Sequence, residues 1–238
     1  MAAGLNVEAI GRVWVAALCS LQLGVASAGR PMATDDTATV SPGECQFEAW
    51  GLRVGDERSQ TVAPACGLTD TLELDTAATR IQGGKPSLDG LGVGLKWAPD
   101  EAVFATTLGS LSLGIEGGVF WSRNPAEPWR ADNLAVVALA SLALTPTWTI
   151  SANLGTTRSL LDHKFTTGAR LGAAWQASER WLLFVETFAA DRGGSLNNAG
   201  LRWWLLPGQL GVDLVASRYT GSAASVSLGL GWYGLRLP

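Results

Sequence analysis

Side chains that could catalyse hydrolysis are scarce in this sequence. The single histidine, His163, follows Asp162 in a segment that is expected to be a loop. A neighbouring acid and histidine can act in general acid–base catalysis when a serine or a second carboxylate completes the site. No G-x-S-x-G motif occurs, and no such third group stands at a defined spacing. A solvated pair in a loop is therefore the better interpretation, and a hydrolase stays an open alternative.

Motifs for nucleotides and metals are also incomplete. Gly83-Gly84-Lys85 is no phosphate loop, because Thr79 stands where the first glycine should be and Pro86 where serine or threonine should be. Cys45 and Cys66 have no histidines nearby, so they make no closed tetrahedral metal site. The sequence therefore predicts no catalytic residues, no metal and no cofactor.

Ionisable side chains recur instead on the polar faces of alternating segments. Successive side chains of a β-strand point to opposite faces, so a period of two separates an apolar face from a polar one. Residues 147–154, for example, alternate between polar and apolar side chains at every position. The ionisable residues on the polar faces are Glu73, Asp75, Lys96, Glu116, Arg170, Glu186, Arg202 and Asp213.

The alternation that positions these residues continues through most of the chain. With weaker segments at 46–55, 60–66 and 71–80, we count about twelve strands, and ten is the alternative. The short connections are 144–147, 176–180 and 206–209. The longer or more charged connections between them are 122–132, 156–163, 191–195 and 219–223. Strands of about ten residues with tight turns at one end are typical of outer-membrane barrels. The sequence therefore predicts an all-β, antiparallel transmembrane β-barrel.

Six tryptophans separate a membrane barrel from a periplasmic β-sandwich. If the chain begins in the periplasm, all six fall at the short-turn end of their strands, and by parity all lie on the apolar face. They are Trp97, Trp148, Trp175, Trp181, Trp203 and Trp232. A ring of indoles suits the headgroup level of a bilayer, whereas a sandwich has no reason to gather them at one end. The sandwich stays as the alternative.

The composition and the N-terminus indicate an exported protein in contact with lipid. Charged residues make up 16% of the chain, against about 25% in an average soluble domain. The net charge of −4 disfavours a nucleic-acid partner. An apolar run from Val13 to Val25 and the cleavage pattern Ala26-Ser27-Ala28 predict a signal peptide over 1–28. The run is shorter than the roughly 20 residues of a spanning helix, which disfavours a retained anchor.

Export also bears on the leader and the cysteines. Residues 29–44 carry turn formers and acids and predict a flexible leader, followed by the barrel over 45–238. Cys45 opens the first strand and Cys66 closes the second, both at the periplasmic end. In an oxidising compartment a disulfide between them is favoured over two free thiols.

The charges of the polar faces are expected to line the lumen, because a charge facing lipid costs a few kcal/mol at mid-membrane. Arg170 and Glu186 each lie five residues from the tryptophan of their strand, so we expect them to meet at one depth and pair. Arg202 and Asp213 would continue a ladder of alternating sign. Such a lining would either select solutes by charge or neutralise itself and seal the lumen, and both interpretations stay open.

Several strand-turn-strand phrases of the C-terminal half resemble a known family. The phrases are LTPTWTISANLG, RWLLFVETFAADRGGSLNNAGLRWWLLPGQLGVDLVASR and SVSLGLGWYGL. They look like those of the outer-membrane transporters associated with phenol degradation, the MetA-pathway family. The resemblance implies a membrane-embedded barrel that moves small, aromatic or apolar compounds, with Glu186 and Asp213 at acidic positions of the phrases. Outer-membrane barrels usually end on an aromatic residue, whereas here residues 235–238 follow Trp232 and Tyr233, so the insertion signal is weak or displaced.

The sequence as a whole predicts a passive channel or transporter for small molecules in the outer membrane of a Gram-negative cell envelope. Its expected partners are outer-membrane lipid, a small-molecule solute and the outer-membrane insertion machinery, without nucleic acid. Phe184 and Phe188 fall on the polar face, where they would narrow the lumen or serve apolar solutes. A structural barrel sealed by salt bridges and an outer-membrane hydrolase are the alternatives to this non-enzymatic channel.

Overall fold

The computed structural model describes residues 32–83 and 87–236, which form thirteen β-strands and one 3-10 turn at Asp100–Ala102. The strands are β1 (Glu44–Val54), β2 (Glu57–Gly67), β3 (Leu72–Gln82), β4 (Leu88–Trp97), β5 (Val103–Ala105), β6 (Ser110–Arg123), β7 (Arg130–Thr145), β8 (Trp148–Ser159), β9 (Phe165–Ser178), β10 (Trp181–Ala190), β11 (Ser195–Leu206), β12 (Leu210–Tyr219) and β13 (Ala224–Arg236). The predicted signal peptide, the first residues of the predicted leader and residues 84–86 and 237–238 lie outside the described residues.

Twelve of the strands close into one antiparallel barrel. Consecutive barrel strands pair with each other, β1 pairs with β13, and β4 pairs directly with β6. The three-residue β5 is an extra strand that pairs with the first residues of β6. Because the barrel is closed, the backbone groups of every barrel strand are paired on both sides. A sheet that spans a membrane needs this pairing, because the hydrocarbon core holds no water to hydrogen-bond free N–H and C=O groups. The predicted barrel is confirmed, and β5 is the one strand that the alternation did not reveal.

The two faces of the wall follow the predicted parity. Apolar side chains face outwards and are exposed along the barrel, as Val93, Ile115 and Val185 are at 43%, 44% and 58%. Most inward positions hold polar, charged or small residues. Leu139 and Phe184 are exceptions: both are large and apolar, but they point inwards and are buried, at 2% and 3% exposure. A Cβ at Gly200 would clash with the Phe184 ring and with the Leu214 backbone, so a glycine makes room for this aromatic ring.

The six tryptophans all lie at one end of the barrel, called here the tryptophan end, and all are between 41% and 50% exposed. Adjacent strands pair them directly, Trp148 with Trp175 and Trp181 with Trp203, and the indoles of each pair stack at 5.5 and 6.1 Å. β1 begins and β13 ends at this same end. The other end is called the loop end.

The connections are short at the tryptophan end and longer at the loop end, as expected, with two exceptions. Two residues join β7 to β8 and β9 to β10 at the tryptophan end, whereas the loop end has connections such as 124–129 and 160–164. The exceptions are 98–109, a long connection at the tryptophan end that contains β5, and the two-residue turn between β1 and β2 at the loop end. No helix among the described residues is long and apolar enough to cross a membrane.

Cys45 and Cys66 form a disulfide across the first hairpin. The two residues are direct cross-strand partners, with their Cα atoms 4.1 Å apart. The bond lies at the tryptophan end, where β1 begins.

We expect labelling of the denatured, unreduced protein to find no thiol at Cys45 or Cys66, and to find both after reduction. Replacing both cysteines with alanine is expected to lower the free energy of unfolding by about 3 kcal/mol, because the bond closes a loop of about 20 residues in the unfolded chain. Thiol-reactive labelling followed by peptide mapping checks the first expectation, and urea titration of the folded barrel checks the second. Label on both cysteines before reduction would contradict the pairing.

Candidate functional site

The described residues that precede β1 enter the lumen of the barrel. Residues 32–43, called here the leader, run from the tryptophan end into the lumen, and Thr34 and Asp35 are only 3% and 1% exposed. The sequence predicted a flexible leader because it carries turn formers and few large apolar groups. The structure differs for residues 32–43, because inward-facing polar side chains of the wall supply hydrogen-bond partners for their backbone.

Glu186 and Arg170 hold the leader at Ala33. The Glu186 carboxylate accepts the backbone N–H groups of Ala33 at 2.9 Å and of Thr34 at 2.7 Å, and the Asn198 amide donates to it at 2.8 Å. The Arg170 guanidinium donates to the carbonyl oxygen of Ala33 at 2.8 Å. A carboxylate and a guanidinium group of the wall therefore bind the N–H group and the carbonyl oxygen of the same residue, Ala33.

The predicted common depth of Arg170 and Glu186 is wrong by two residues. Arg170 lies opposite Phe188 and Glu186 lies opposite Gly172. The reason is that the β9–β10 hairpin extends past Trp175, so that Trp181 pairs with Ser178 instead. Counting from the tryptophans therefore placed both charges inside the lumen but misjudged their register.

Asp35 binds the wall through both its backbone and its carboxylate. Its N–H donates to the Asn153 amide oxygen at 2.8 Å, and the Asn153 amide nitrogen donates back to its carbonyl at 2.9 Å. Lys96 Nζ lies 3.5 Å from the Asp35 carboxylate and 3.4 Å from that of Glu73. Because all three charged side chains are at most 3% exposed, removing one partner would leave an uncompensated buried charge.

Further wall contacts continue along the leader towards β1. The Thr37 N–H donates to the Ser141 hydroxyl at 3.0 Å, and the Val40 N–H donates to Glu73 at 2.6 Å. Including the contacts at Ala33, Thr34 and Asp35, five leader N–H groups therefore donate to side chains of the wall.

Arg202 and Asp213 form the second polar cluster of the lumen, towards the tryptophan end. They are direct cross-strand partners, and the guanidinium binds the carboxylate through two hydrogen bonds of 2.6 and 2.8 Å. Arg202 also donates to the Tyr233 hydroxyl, which donates to Glu48. The sequence placed Arg202 and Asp213 in a ladder of alternating sign but did not identify Tyr233 or Glu48 as members of the cluster.

The two remaining predicted lumen residues, Asp75 and Glu116, are also buried on the inner face, at 5% and 2% exposure. Glu116 lies directly opposite Lys96 in the β4–β6 pair. All eight ionisable residues predicted to line the lumen therefore lie on the inner wall. Sequence reasoning missed Asn153 and Ser141 as leader contacts, although both fall on the polar face, because an uncharged polar residue gives no sign of a partner.

Two cavities lie on either side of the docked end of the leader. The cavity towards the loop end, called here the outer vestibule, has a volume of about 460 Å³ and includes Asn153 and Arg170 in its lining. The cavity towards the tryptophan end, called here the inner vestibule, has about 420 Å³ and includes Thr34 and Lys96. The contacts of Ala33, Thr34 and Asp35 with the wall therefore stand between the two spaces.

The outer vestibule is positively charged. Its lining contains three basic residues, Lys164, Arg170 and Arg192, and one acidic residue, Asp162. Asp162 lies in the exposed β8–β9 loop, where hydrogen bonds from the Ser159 and Lys164 side chains lower its pKa to about 2. Its carboxylate is 3.1 Å from Lys164 Nζ. Arg170 acts together with the Glu186 carboxylate at Ala33, so the positive charge that this ion pair leaves over in the lining is that of Arg192.

The catalytic alternative finds little support in the geometry of this loop. Asp162 and His163 are both exposed, and the Asp162 carboxylate accepts the Lys164 N–H in addition to its ion pair. A catalytic carboxylate orients the ring of its histidine through a hydrogen bond, whereas the contacts of the Asp162 carboxylate shown in this loop are with Ser159 and Lys164. Within the described ranges, no group of three or more His, Cys, Asp or Glu residues could hold a metal ion.

Sequence and structure comparisons place the chain among barrels of one architecture. The profile of a family described as "Uncharacterised conserved protein UCP029691" matches residues 16–231. No curated protein sequence matches the chain significantly.

Three similar solved structures are outer-membrane channels. The KdgM porin superposes with a TM-score of 0.59 at 8% identity, covering 79% of this chain and 98% of that one. The NanC porin gives 0.55 at 7% identity, with 81% and 100% covered. The COG4313 outer membrane channel from Pseudomonas putida F1 gives 0.54 at 10% identity, with 83% and 98% covered. The fold is that of the outer-membrane porins and channels, and the chain is a protein of the cell outer membrane.

Replacing Glu186 with alanine is expected to loosen the leader, because three donors lose their acceptor. Hydrogen bonds to a charged group contribute about 1.5 to 3 kcal/mol, so amide exchange at Ala33 and Thr34 should accelerate roughly tenfold or more. Hydrogen exchange with mass spectrometry on the folded barrel in detergent measures this. Thr61→Ala, which removes an inner-wall hydrogen bond to Thr79, is the control that should leave leader exchange unchanged. Equal exchange in all three proteins would contradict the docking.

Proposed function

We propose that this chain, which belongs to the uncharacterised conserved protein family UCP029691, is a passive channel for small anionic molecules. The observation that carries the proposal is the positive outer vestibule directly above the docked leader. A solute that enters from the loop end meets Arg170 and Arg192 before it reaches the Ala33 contacts. Fixed positive charge in a cleft with low-dielectric walls concentrates anions.

The orientation of the barrel supports this order of events. Outer-membrane barrels keep their short turns in the periplasm and their longer loops outside the cell. The tryptophan end is therefore assigned to the periplasm and the loop end to the exterior. The outer vestibule would then be the entrance, and the inner vestibule would open towards the periplasm.

The lining of the outer vestibule favours an organic anion over an inorganic one. Phe188 contributes an aromatic ring to the lining, and the Arg170 guanidinium lies 5.4 Å above this ring. An apolar face next to a positive charge suits a small molecule that carries both a carboxylate and an aromatic or aliphatic part. This preference accommodates the aromatic compounds that the resemblance to the phenol-degradation transporters implies, provided that they are acidic.

The leader favours a second candidate, a structural barrel with a closed lumen. Its contacts with β8, β9 and β10 occupy the passage between the two vestibules. The two candidates differ in whether solute can pass the leader.

Conductance across planar bilayers tests the channel. We expect the wild-type protein to conduct ions and to prefer chloride over potassium, as read from the reversal potential in a salt gradient. Lys164→Gln together with Arg192→Gln should shift the reversal potential towards potassium, since the surplus charge of the vestibule falls. Arg180→Gln, which removes a positive charge from a turn at the tryptophan end, should not.

Removing residues 32–38 separates the two candidates. A channel restricted by its leader should show a several-fold larger conductance after the deletion, with the wild type already conducting. A wild type without conductance that opens only after the deletion would support the sealed barrel. A conducting wild type with no anion preference, unchanged by Lys164→Gln and Arg192→Gln, would contradict the proposed solute class.

A further inference from the structure

Arginines gather on the outer surface of the barrel at its loop end. Four of them, with one aspartate between, lie on the outward face of five neighbouring strands and are called here the arginine patch. The residues are Arg53 on β1, Arg58 on β2, Arg80 on β3, Asp89 on β4 and Arg123 on β6. With four arginines and one aspartate, the patch carries a net charge of +3.

The first two arginines oppose each other without an acid between them. Arg53 and Arg58 are direct cross-strand partners beside the β1–β2 turn, and both are exposed. Like charges placed directly opposite each other destabilise a sheet. Among the described residues, no carboxylate lies within ion-pair distance of either side chain, and the Arg53 Nε donates only to the Gly55 carbonyl, at 3.1 Å.

The other two arginines share one carboxylate. Asp89 lies 3.7 Å from Arg80 and 3.3 Å from Arg123. The side chain of Arg80 is nevertheless 58% exposed and that of Arg123 39% exposed. Each guanidinium therefore still presents donors to the surroundings of the barrel.

The patch borders the apolar surface of the barrel. On the same outward face, two residues deeper on β4, Leu91 is exposed, and Val62 is exposed on β2. The guanidinium groups therefore stand where the hydrocarbon-facing band ends and the headgroup layer of the outer leaflet begins. An anion that reaches them from this direction belongs to a lipid.

We propose that the arginine patch binds the phosphate groups of the glycolipid in the outer leaflet. Arginine forms paired hydrogen bonds with phosphate oxygens. Neighbouring strands lie about 4.8 Å apart, so Arg53 and Arg58 can grip one phosphate from two sides. A phosphate between the two guanidinium groups offsets their repulsion and accepts hydrogen bonds from both. The acyl chains of the same glycolipid lie against Val62 and Leu91.

The test compares thermal unfolding of the detergent-solubilised barrel with and without bisphosphorylated lipid A. A ligand that binds only the folded state raises the unfolding temperature. We expect lipid A to raise it for the wild type and for the control variant Arg180→Gln/Arg236→Gln, which removes two positive charges at the opposite end. In Arg53→Gln/Arg58→Gln the rise should fall by at least about half, and in Arg80→Gln it should fall by less.

Two further ligands identify the source of the phosphate. Dephosphorylated lipid A with the same acyl chains should give a much smaller rise than bisphosphorylated lipid A, and inorganic phosphate at the same concentration should give none. An equal rise in the wild type and in Arg53→Gln/Arg58→Gln would overturn the proposal, as would an equal rise with dephosphorylated lipid A. An equal effect of inorganic phosphate would show a free-anion site instead. Folding of each variant is checked by the shift between boiled and unboiled samples on a gel.

Discussion

Hydrocarbon around the barrel forces the mid-membrane charges of this chain to the inner wall, since a charge on the lipid face costs about 2 to 4 kcal/mol at mid-membrane. The inner wall then holds more acids than bases. Lys96, Arg170 and Arg202 face the carboxylates of Glu48, Glu73, Asp75, Glu116, Glu186 and Asp213. A buried carboxylate without an opposite charge or a donor is costly, so this wall requires further hydrogen-bond donors inside the lumen.

The leader supplies those donors without adding a base. Glu186 accepts two of its N–H groups and Glu73 accepts a third, while the leader's own Asp35 shares Lys96 with Glu73. Asn153 pairs with the Asp35 backbone as a neighbouring strand would. The same contacts that satisfy the wall divide the lumen into two vestibules. Electrostatic satisfaction of the inner wall and restriction of the passage are therefore two consequences of one arrangement.

The barrel could be predicted from the sequence because parity and hydrocarbon leave little choice. Alternation places Trp148 outwards and Asn153 inwards wherever the strand lies in the sheet, and six indoles at one level fix the ends. The register between strands is less constrained, which is why the depths of Arg170 and Glu186 were misjudged. The leader escaped prediction for a different reason. Its residues have no period and few large apolar groups, and only the assembled inner wall reveals that its backbone has partners.

A disulfide between the leader and the wall tests this account most directly. A Cβ at Gly172 would lie 3.2 Å from the Cβ of Thr34, slightly below the roughly 3.5 to 4.5 Å that disulfides span. It would also meet the Met32 methyl group, which is the far end of a flexible side chain and can move aside. Thr34→Cys with Gly172→Cys should therefore cross-link spontaneously in the folded barrel. Thr34→Cys with Ala173→Cys should not, because Ala173 faces the lipid. Peptide mapping without reduction reads the result. Cross-linked peptide 34–172 is the predicted outcome, and free thiols at both positions in the folded protein would contradict a leader docked in the lumen.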